Sequence, residues 1–383
     1  MTNKTAYLYQ DLLTGKAYSI EVKDGLIVAR KKVADDSQNL PTLVPSLVDL
    51  QVNGYKGYDL NEDHLEPELV EAISDSLCSV GVRNYLPTLI TAGESDLCQR
   101  LQSIKQAKEK LPKSKLMIAG IHMEGPAISP NDGYRGAHPR EFIRPASMAE
   151  FSRWQKASGN LIKMITIAPE TDGALGFIKD VTARKIIVAL GHCDTDEFNI
   201  TDAVSAGARM STHLGNGIDI NLRRHPNPIW TQLAEDRLTA SFIADGHHLS
   251  KSVLKSMLRA KGIEHSILVS DSVKFAGMKP GRYSSHIGRE VDVWANRRVS
   301  VADTPYLAGS GSSLLDIVIS FSQFTNMPLK HAVLMASINP GKMIGLKNPM
   351  RMGAPANFIC FDHSKISFKT SVREIIFHGK SVL

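Results

Sequence analysis

The sequence predicts an α/β protein: a (β/α)8 TIM-like barrel with a small β-sandwich formed by the N- and C-terminal segments. Three observations in the 383-residue chain predict this fold. About eight short apolar runs alternate with amphipathic segments through the middle of the chain, and both ends are rich in strand-like segments. No G-x-G-x-x-G follows any of the runs, which removes the usual reason to prefer the main alternative, a doubly wound open sheet.

The two ends of the chain are predicted to form a small domain together. Residues 17–22 and 26–28 read as strands around the turn Lys23-Asp24-Gly25, whose glycine suits a positive φ. Residues 357–361 and 375–378 read as strands near the C-terminus. We therefore expect residues 1–42 and 350–383 to form the β-sandwich and residues 43–349 to form the barrel.

Eight segments are predicted as barrel strands, because each is short and apolar and is followed by a helical pattern or a long loop. They are residues 43–52, 83–89, 115–123, 162–168, 185–190, 209–214, 239–244 and 266–269. Between them, apolar residues recur at helical spacing before Gly81, and Ser250 is a candidate N-cap of a helix that ends before Gly262. Residues 272–307 are predicted to be a strand-rich insertion after the last barrel strand.

Composition and charge argue against several classes of protein. The net charge of +6 comes from 45 basic and 39 acidic residues without a basic block, so we do not expect nucleic-acid binding. No apolar run reaches the length of a membrane span, and the first residues lack a secretory pattern. The 4 cysteines are scattered, which is typical of free thiols in a reducing cytoplasm.

Polar residues end several of the predicted strands. Glu124 ends the third strand, His192 and His213 follow the fifth and sixth, and Asp271 follows the eighth. A single histidine at such a place is more often structural, but a barrel brings all four strand ends to one face. Two imidazoles and one carboxylate are a ligand set of catalytic zinc. The pattern therefore predicts one divalent metal held by Glu124, His192 and His213, with Asp271 as general base.

These residues lie in motifs that resemble the amidohydrolase superfamily and, within it, the N-acetylglucosamine-6-phosphate deacetylases, of which the chain looks like a divergent member. The similarity runs from about residue 43 to residue 345. It rests on residues 45–54 (PSLVDLQVNG), 122–126 (HMEGP), 136–139 (GAHP), 168–170 (APE), 212–214 (THL), 243–246 (IADG), 307–310 (LAGS) and the pair Asn339-Pro340.

The resemblance implies a hydrolase of linear amide bonds and a role for each matching residue. Glu124, His192 and His213 match metal ligands, and Asp271 and His138 match the catalytic residues. The residues that match substrate contacts are Ala137, His138, Asn216, Gly217, Arg224, His248, Leu307, Ala308 and Gly309. Some phosphate contacts in the family come from the neighbouring subunit, which implies a homodimer. Plainer interpretations stay open, because Arg224 could be a solvated charge and His247 competes with His248.

The chain lacks one common amidohydrolase motif and departs from the deacetylase pattern after the sixth strand. Many amidohydrolases begin with His-x-His and bind two metals, whereas this chain has Gln51-Val52-Asn53, as in the single-metal members of the deacetylase family. Amides are poor ligands of transition metals, so we expect one ion per subunit, with Zn²⁺ as the expected metal. Gly215 replaces an aromatic residue, and Arg224-His225-Pro226-Asn227 replaces Arg-Glu-Pro-Gly. The last two changes affect the loop that reads the sugar and the phosphate.

The resemblance implies deacetylation of an N-acetylhexosamine 6-phosphate, most simply N-acetyl-D-glucosamine 6-phosphate to glucosamine 6-phosphate and acetate. Two alternatives stay open. One is an amidohydrolase that cleaves a different N-acyl amine or a cyclic amide. The other is a non-catalytic scaffold, which is disfavoured because the chain retains all three ligand residues and the base.

Overall fold

The structure is a computed structural model that describes residues 4–34, 40–284, 290–304, 306–363, 367 and 369–382. Strands and helices alternate through most of this range. The described strands, in chain order, are β1 (Lys4–Asp11), β2 (Ala17–Lys23), β3 (Leu26–Lys32), β4 (Thr42–Pro45), β5 (Leu47–Val52), β6 (Gly54–Tyr55), β7 (Tyr58–Asp59), β8 (Val82–Ile90), β9 (Ile121–Glu124), β10 (Ile162–Ile167), β11 (Ile187–Leu190), β12 (Met210–Ser211), β13 (Thr239–Phe242), β14 (Ser266–Leu268), β15 (Gly281–Ser284), β16 (Glu290–Val293), β17 (Val299–Val301), β18 (Phe358–His363), β19 (Thr370–Phe377) and β20 (Lys380–Ser381).

The helices surround the barrel strands. They are α1 (Pro67–Cys78), α2 (Glu94–Lys110), α3 (Pro112–Met117), α4 (Met148–Ser158), α5 (Ala174–Ala183), α6 (Glu197–Ala206), α7 (Pro228–Ala234), α8 (Lys251–Lys261), α9 (Leu314–Thr325), α10 (Leu329–Val333) and α11 (Asn339–Met343). Short 3₁₀ turns cover Arg140–Phe142 and Ile263–His265, and a π-helical turn, Leu334–Ile338, joins α10 to α11. No helix among the residues described is long and apolar enough to cross a membrane.

Eight parallel strands form the barrel in the order β5-β8-β9-β10-β11-β12-β13-β14. The barrel closes between its first and last strands, where Val52 forms a parallel bridge with Ser272 and the Asp271 N–H donates to the Gln51 carbonyl at 3.0 Å. Apolar side chains such as Leu50, Met164 and Ile267 fill one core cluster, and a larger cluster joins the strands to the helices. The predicted (β/α)8 barrel is confirmed.

The strand-rich ends predicted from the sequence are also confirmed. Strands from both termini form one seven-stranded sheet in the order β20-β19-β18-β4-β1-β2-β3. Its pairs are antiparallel, except that β1 and β4 run parallel. The sheet has its own apolar cluster, in which Tyr9, Ile20 and Ile27 from the N-terminal strands meet Phe358 and Ile376 from the C-terminal strands.

The predicted strand 43–52 was wrong in one respect, because it is two strands in two different sheets. The Ser46 N–H donates to the Asn357 carbonyl at 3.2 Å, whereas the Leu47 N–H donates to the Gly81 carbonyl at 2.8 Å. The chain therefore leaves the terminal sheet with β4 and enters the barrel with β5, although the apolar run continues through both.

The predicted strand 115–123 was wrong over its first half, which belongs to helix α3. Pro112 lies in the first turn of α3, where its missing N–H costs nothing. The Glu71 carboxylate on α1 accepts the N–H groups of Lys113 and Ser114, both at 2.8 Å. This contact between two helices satisfies free N–H donors at the N-terminus of α3. The local sequence around α3 gives no sign of it, because Glu71 lies on another helix.

The other predicted strands agree with β8 and β10–β14 to within a few residues at each end, except that β12 keeps only two residues, Met210–Ser211, of the predicted 209–214. The segment after the last barrel strand is rich in strands, as predicted, and its strands β15, β16 and β17 form a three-stranded antiparallel sheet. Ser250 caps α8, since its side chain accepts the Val253 N–H.

Candidate metal and catalytic centre

The predicted ligand residues meet at the carboxyl ends of neighbouring barrel strands. Glu124 ends β9, and His192 and His213 follow β11 and β12. Their ligand atoms all lie within 4.8 Å of one another, and all three residues are buried. Glu124 Oε1 lies 3.1 Å from His213 Nε2 and 3.4 Å from His192 Nε2, and the two Nε2 atoms are 3.2 Å apart.

The hydrogen bond of His192 fixes which ring nitrogen faces this cluster. Its Nδ1 lies 2.8 Å from the backbone carbonyl of Tyr134, which can only accept a hydrogen bond. Nδ1 therefore carries the proton, and the lone pair of Nε2 points at Glu124 and His213. A carbonyl behind a histidine is the usual support of a metal-ligating imidazole. Two imidazole nitrogens and one carboxylate oxygen fit the donor set of zinc.

Glycines let two loops approach the His192 ring. A Cβ atom at Gly217 would lie 2.7 Å from His192 Nδ1, and one at Gly136 would lie 3.5 Å from His192 Cε1. Gly217 has a φ of 61°, which also favours glycine. The loops after β9 and β12 therefore enclose the ring from two sides.

Glu124 has a partner that sequence reasoning did not assign. The side-chain N–H of Gln51 donates to Glu124 Oε1 at 2.8 Å. Burial alone would raise the pKa of Glu124, but its contacts with His192 and His213 hold that pKa well below its usual range. The carboxyl group is therefore ionised, as a metal ligand must be.

Asp271 follows β14 and lies beside the cluster, where the residue is half-buried. The side-chain N–H of Asn53 donates to its Oδ1 at 2.8 Å. Burial raises the pKa of Asp271 above its ordinary value, and the neighbouring His213 opposes this shift. A raised carboxyl pKa brings the group closer to the pH range in which a general base exchanges protons.

His138 presents an N–H to the same cluster. Its Nδ1 lies 2.8 Å from the Thr91 hydroxyl and 3.4 Å from the Thr91 backbone nitrogen, which can only donate. Nδ1 therefore accepts, and the proton of the neutral ring is on Nε2, 3.9 Å from Glu124 Oε2. Burial lowers the pKa of His138 to about 3, so the ring is neutral near pH 7.

The structure brings several of the predicted substrate-binding residues to this face. Asn216 donates from its side chain to the His213 carbonyl at 3.2 Å, and Ala137 is exposed just before His138. Gly309, in the Leu307-Ala308-Gly309 loop, packs against Val273, two residues after Asp271. The imidazole Nδ1 of His248 lies 2.8 Å from Asp245 Oδ2 on the loop after β13.

Arg224 is not fixed in place by contacts within the described chain. It lies on an exposed stretch of the loop after β12, and its guanidinium group has no hydrogen bond or ion pair to any residue that the structure describes. The predicted phosphate contact of Arg224 thus stays a prediction.

Gly215 stands where the family has an aromatic residue, and it lies close to the side chains of Leu249 and Met257. Its φ is 95°, and a Cβ atom there would lie 3.0 Å from Leu249 and 3.1 Å from Met257. A larger side chain at this position would meet helix α8 and the segment before it. The change from an aromatic residue to glycine therefore alters the support of the loop.

Sequence reasoning assigned no role to Asp49, Gln51, Asn53, Thr91 or Asp245. The first three alternate along β5 and its end, so the period of two places their side chains on one face of the strand. This alternation was a usable signal for Gln51 and Asn53. Thr91 and Asp245 act through contacts with histidines, and nothing in their local sequence indicates those contacts.

Known proteins are similar to this chain over most of its length. A model of the Amidohydrolase family matches residues 42–382. The N-acetylglucosamine-6-phosphate deacetylase of Bacillus subtilis is 32% identical over 322 residues, which cover 83% of this chain and 80% of that protein. The N-acetylgalactosamine-6-phosphate deacetylase of Escherichia coli O157:H7 is 28% identical over 350 residues, or 90% of each chain.

A solved structure is similar over its whole length. It is a mutant of the N-acetyl-D-glucosamine-6-phosphate deacetylase from Mycobacterium smegmatis in complex with N-acetyl-D-glucosamine 6-phosphate. The two folds agree with a TM-score of 0.86 at 26% sequence identity, and the match covers 100% of both chains. This chain therefore belongs to the amidohydrolase family and, within it, to the N-acetylglucosamine-6-phosphate deacetylases.

Proposed function

We propose that this chain removes the acetyl group of N-acetylhexosamine 6-phosphates, with N-acetyl-D-glucosamine 6-phosphate as the preferred substrate. The chain is a hydrolase that acts on a linear amide C–N bond. The observation that carries the finer proposal is the cluster of Glu124, His192 and His213 beside the half-buried Asp271 at the carboxyl ends of the barrel strands. Relatives named for the glucosamine and for the galactosamine form support the substrate class.

One divalent ion per subunit is part of the proposal, with Zn²⁺ as the candidate metal. Glu124, His192 and His213 would hold it through Oε1 and the two Nε2 atoms, whose spacing is given above. When bound, such an ion supplies Lewis-acid activation of water and polarisation of the amide carbonyl. Gln51 supports Glu124 rather than completing a second ligand set, which favours a single ion.

The side chains of this chain would move the protons. Asp271 accepts a proton from the attacking water and delivers it to the nitrogen of the departing amine, which leaves poorly unless it is protonated. Asn53 occupies Asp271 Oδ1, so Oδ2 is the oxygen available for this exchange. The Nε2–H of His138 donates a hydrogen bond to the carbonyl oxygen as that oxygen gains negative charge.

Substrate recognition is assigned to the loops around the cluster. We propose that Ala137, Asn216, Gly217, His248 and the loop Leu307-Ala308-Gly309 contact the sugar or its phosphate. Arg224 is proposed as a further phosphate contact, because an unpaired guanidinium suits a phosphate and the residue aligns with the family motif.

We also propose that the protein is a homodimer in the cytoplasm. The loop that carries Arg224 and the first turn of helix α7 expose apolar side chains, with Ile220 exposed at 88% and Trp230 at 56%, and such side chains are candidates for an interface. Light scattering of the purified protein checks the dimer. The four cysteines are free, which supports a reducing compartment.

The proposed function is tested by an assay of acetate release together with metal analysis. Purified protein is given N-acetylglucosamine 6-phosphate, its galactosamine epimer or unphosphorylated N-acetylglucosamine. About one metal per chain and fast release only from a phosphorylated sugar are expected. Bound metal without release from any of the three sugars would contradict the proposed substrate.

Replacement of Asp271 tests the proposed chemistry. We expect Asp271→Asn to lower kcat by about 10²–10⁴-fold while its metal content stays that of the wild type, since the variant removes only the proton acceptor. Asp292→Asn is the matched control, because Asp292 is paired with Arg282 on the inserted sheet. Substantial acetate release by the Asp271 variant would refute its role.

The second candidate function is hydrolysis of a different N-acyl amine or of a cyclic amide. The residues His225, Pro226 and Asn227, which depart from the family motif after Arg224, favour it. Activity on a phosphorylated sugar would count against it. A non-catalytic scaffold is disfavoured, because the three ligand residues and Asp271 are all retained and lie together.

A further inference from the structure

Asp245 and His248 form a closed hydrogen-bonded pair on the loop after β13. Their side chains are only 1% and 9% exposed. Asp245 Oδ1 accepts the backbone N–H groups of His247 at 2.8 Å and His248 at 3.0 Å. Asp245 Oδ2 lies 2.8 Å from His248 Nδ1. Both oxygens of Asp245 thus have partners within four consecutive residues.

The pair fixes the position of the proton on His248. Burial would raise the pKa of Asp245, but the hydrogen bonds from His248 and the backbone lower it, so the group is an ionised carboxylate. A carboxylate can only accept hydrogen bonds, and His248 Nδ1 must therefore carry a proton. Nε2 has no hydrogen bond to any residue within the described part of the chain.

The free nitrogen of His248 belongs to the same face as the catalytic cluster. His248 lies on the loop after β13, and the two neighbouring strands, β12 and β14, lead into His213 and Asp271. The two backbone N–H groups that donate to Asp245 Oδ1 keep the carboxylate in place, whatever His248 contacts. The carboxylate in turn holds the Nδ1 side of the His248 ring. Asp245 thus presets the direction of His248 Nε2 before any substrate binds.

We propose that Asp245 is a positioning residue for substrate binding: it holds His248 in the Nδ1–H form, so that Nε2 is the atom that contacts the substrate. The contact of His248 with the substrate rests on the proposed function. The tautomer and its dependence on Asp245 do not.

Asp245→Asn gives a sharp test, because it exchanges donors and acceptors at one position. The amide oxygen can still accept the two backbone N–H groups, which leaves the NH₂ group facing His248 Nδ1. Nδ1 must then accept, and the proton moves to Nε2. The same replacement at the buried carboxylate of a serine-protease triad leaves the geometry intact but puts the histidine in the wrong tautomer.

Nitrogen-15 NMR of the metal-loaded protein measures the tautomer directly. The chain has 13 histidines, and His248→Gln identifies the signals of His248 by their loss. We expect the wild type to show protonated Nδ1 at His248 and Asp245→Asn to show protonated Nε2. A wild type with its proton on Nε2 would overturn the proposal without any variant.

Kinetics with N-acetylglucosamine 6-phosphate test the consequence for the substrate. We expect Asp245→Asn to raise KM by about tenfold, the effect of one lost hydrogen bond, while kcat and metal content stay near those of the wild type. A merely structural role would lower kcat, metal content and thermal stability together. His265→Gln is the control, because His265 is exposed on the short turn before β14, and it should change neither KM nor the tautomer of His248.

The outcomes separate this inference from the proposed function. Acetate release with an unchanged His248 tautomer or an unchanged KM in Asp245→Asn overturns the positioning role and leaves the proposed function intact. No acetate release by the wild type overturns the proposed function and the substrate contact of His248, whereas the tautomer measurement still decides what Asp245 does.

Discussion

His192, His213 and Asp271 share an unusual backbone conformation, with φ values of 52°, 28° and 47°. Residues other than glycine rarely adopt positive φ, and each instance costs about 1–3 kcal/mol. Hydrogen bonds to neighbouring segments hold all three: the Ser129 N–H donates to the His192 carbonyl at 2.9 Å, the His213 N–H to the Ser241 hydroxyl at 2.8 Å, and the Asp271 N–H to the Gln51 carbonyl at 3.0 Å. The turns aim the side chains at the cluster.

The hydrogen bond from Asn53 favours the ionised form of Asp271, and its removal should be visible in the pH profile. In Asn53→Ala the pKa of Asp271 rises further, because burial then acts with less opposition. A general base must be ionised, so we expect the acidic limb of kcat to move to higher pH by about one unit. Initial rates of acetate release from about pH 5 to about pH 9 measure this shift.

Asn84→Ala is the control for this experiment. Asn84 donates to the carbonyl groups of Leu116 and Met117 at the other end of β8 and has no contact with Asp271. Its replacement should leave the limb unchanged. An acidic limb that is identical in the wild type and in Asn53→Ala would show that Asn53 does not act on the base.

Asp49 should make stability depend on pH. Burial raises the pKa of Asp49 from 3.8 to about 7, so the folded chain binds this proton more tightly than the unfolded chain. The stabilisation is complete below about pH 4 and is lost as the pH rises through about 7. Relative to Asp49→Asn, we expect the wild type to lose about 2–3 kcal/mol of unfolding free energy between about pH 5 and pH 8.

Urea unfolding of both proteins without metal, at several pH values, measures this difference. Asp49 lies at the closure of the barrel, where its Oδ1 accepts the Ser270 N–H at 3.1 Å. Unfolding free energies of the wild type and the variant that stay parallel across this range would show that Asp49 titrates alike in the folded and unfolded chain.

At the scale of elements, the sequence predicted what depends on local pattern. The barrel strands alternate with amphipathic helices, and the helix caps at Ser250 and Gly262 agree with the structure. The local pattern failed where a distant segment decides. The apolar run 43–52 is divided at Ser46, because the Ser46 N–H bonds to Asn357 in one sheet and the Leu47 N–H bonds to Gly81 in the other. Helix α3 begins where the Glu71 carboxylate of α1 accepts its first N–H groups.

The same limit applies to the site. The strand-end rule brings Glu124, His192, His213 and Asp271 together, since each is placed by its own strand. Gln51 donates to Glu124, 73 residues away, and Asn53 donates to Asp271, 218 residues away. A local sequence pattern cannot predict contacts between residues so far apart in the chain. The contact between Asp245 and His248 spans only three residues, but it depends on the shape of a loop.

Helix α9 begins with a capping box whose loss should lower stability. The Ser313 hydroxyl accepts the Asp316 N–H at 3.1 Å, and Asp316 Oδ2 accepts the Ser313 N–H at 3.0 Å. We expect Ser313→Ala to lower the free energy of unfolding by about 1–2 kcal/mol. Ser320→Ala in the same helix should be nearly neutral, because its hydroxyl bonds only to helix carbonyls. Equal effects in the two variants would contradict the capping role.

At the scale of the whole molecule, the proposed ion would tie together strands that are separate in the sequence. Its three ligands come from the ends of β9, β11 and β12. Because the unfolded chain has no such cluster, bound metal stabilises the folded chain by mass action. We expect removal of metal with a chelator to lower Tm by several degrees and added Zn²⁺ to restore it.

His213→Ala is the control for this effect, since it removes one ligand. Its Tm should respond only weakly to the chelator and to Zn²⁺. Differential scanning calorimetry measures both proteins under the same conditions. A Tm of the wild type that does not depend on metal would contradict the proposed metal site.

The closure of the barrel between β5 and β14 determines the order in which the parts of the proposed site can assemble during synthesis. The chain is synthesised from its N-terminus, so Glu124, His192 and His213 leave the ribosome before Asp271 does. Glu124 ends β9, and His192 and His213 follow β11 and β12, within a set of four strands that are contiguous in the sheet. Asp271 reaches Asn53 only when the last strand meets the first. Under the proposed mechanism, a nascent chain can gather its ligands early, and hydrolysis is the last property that it acquires.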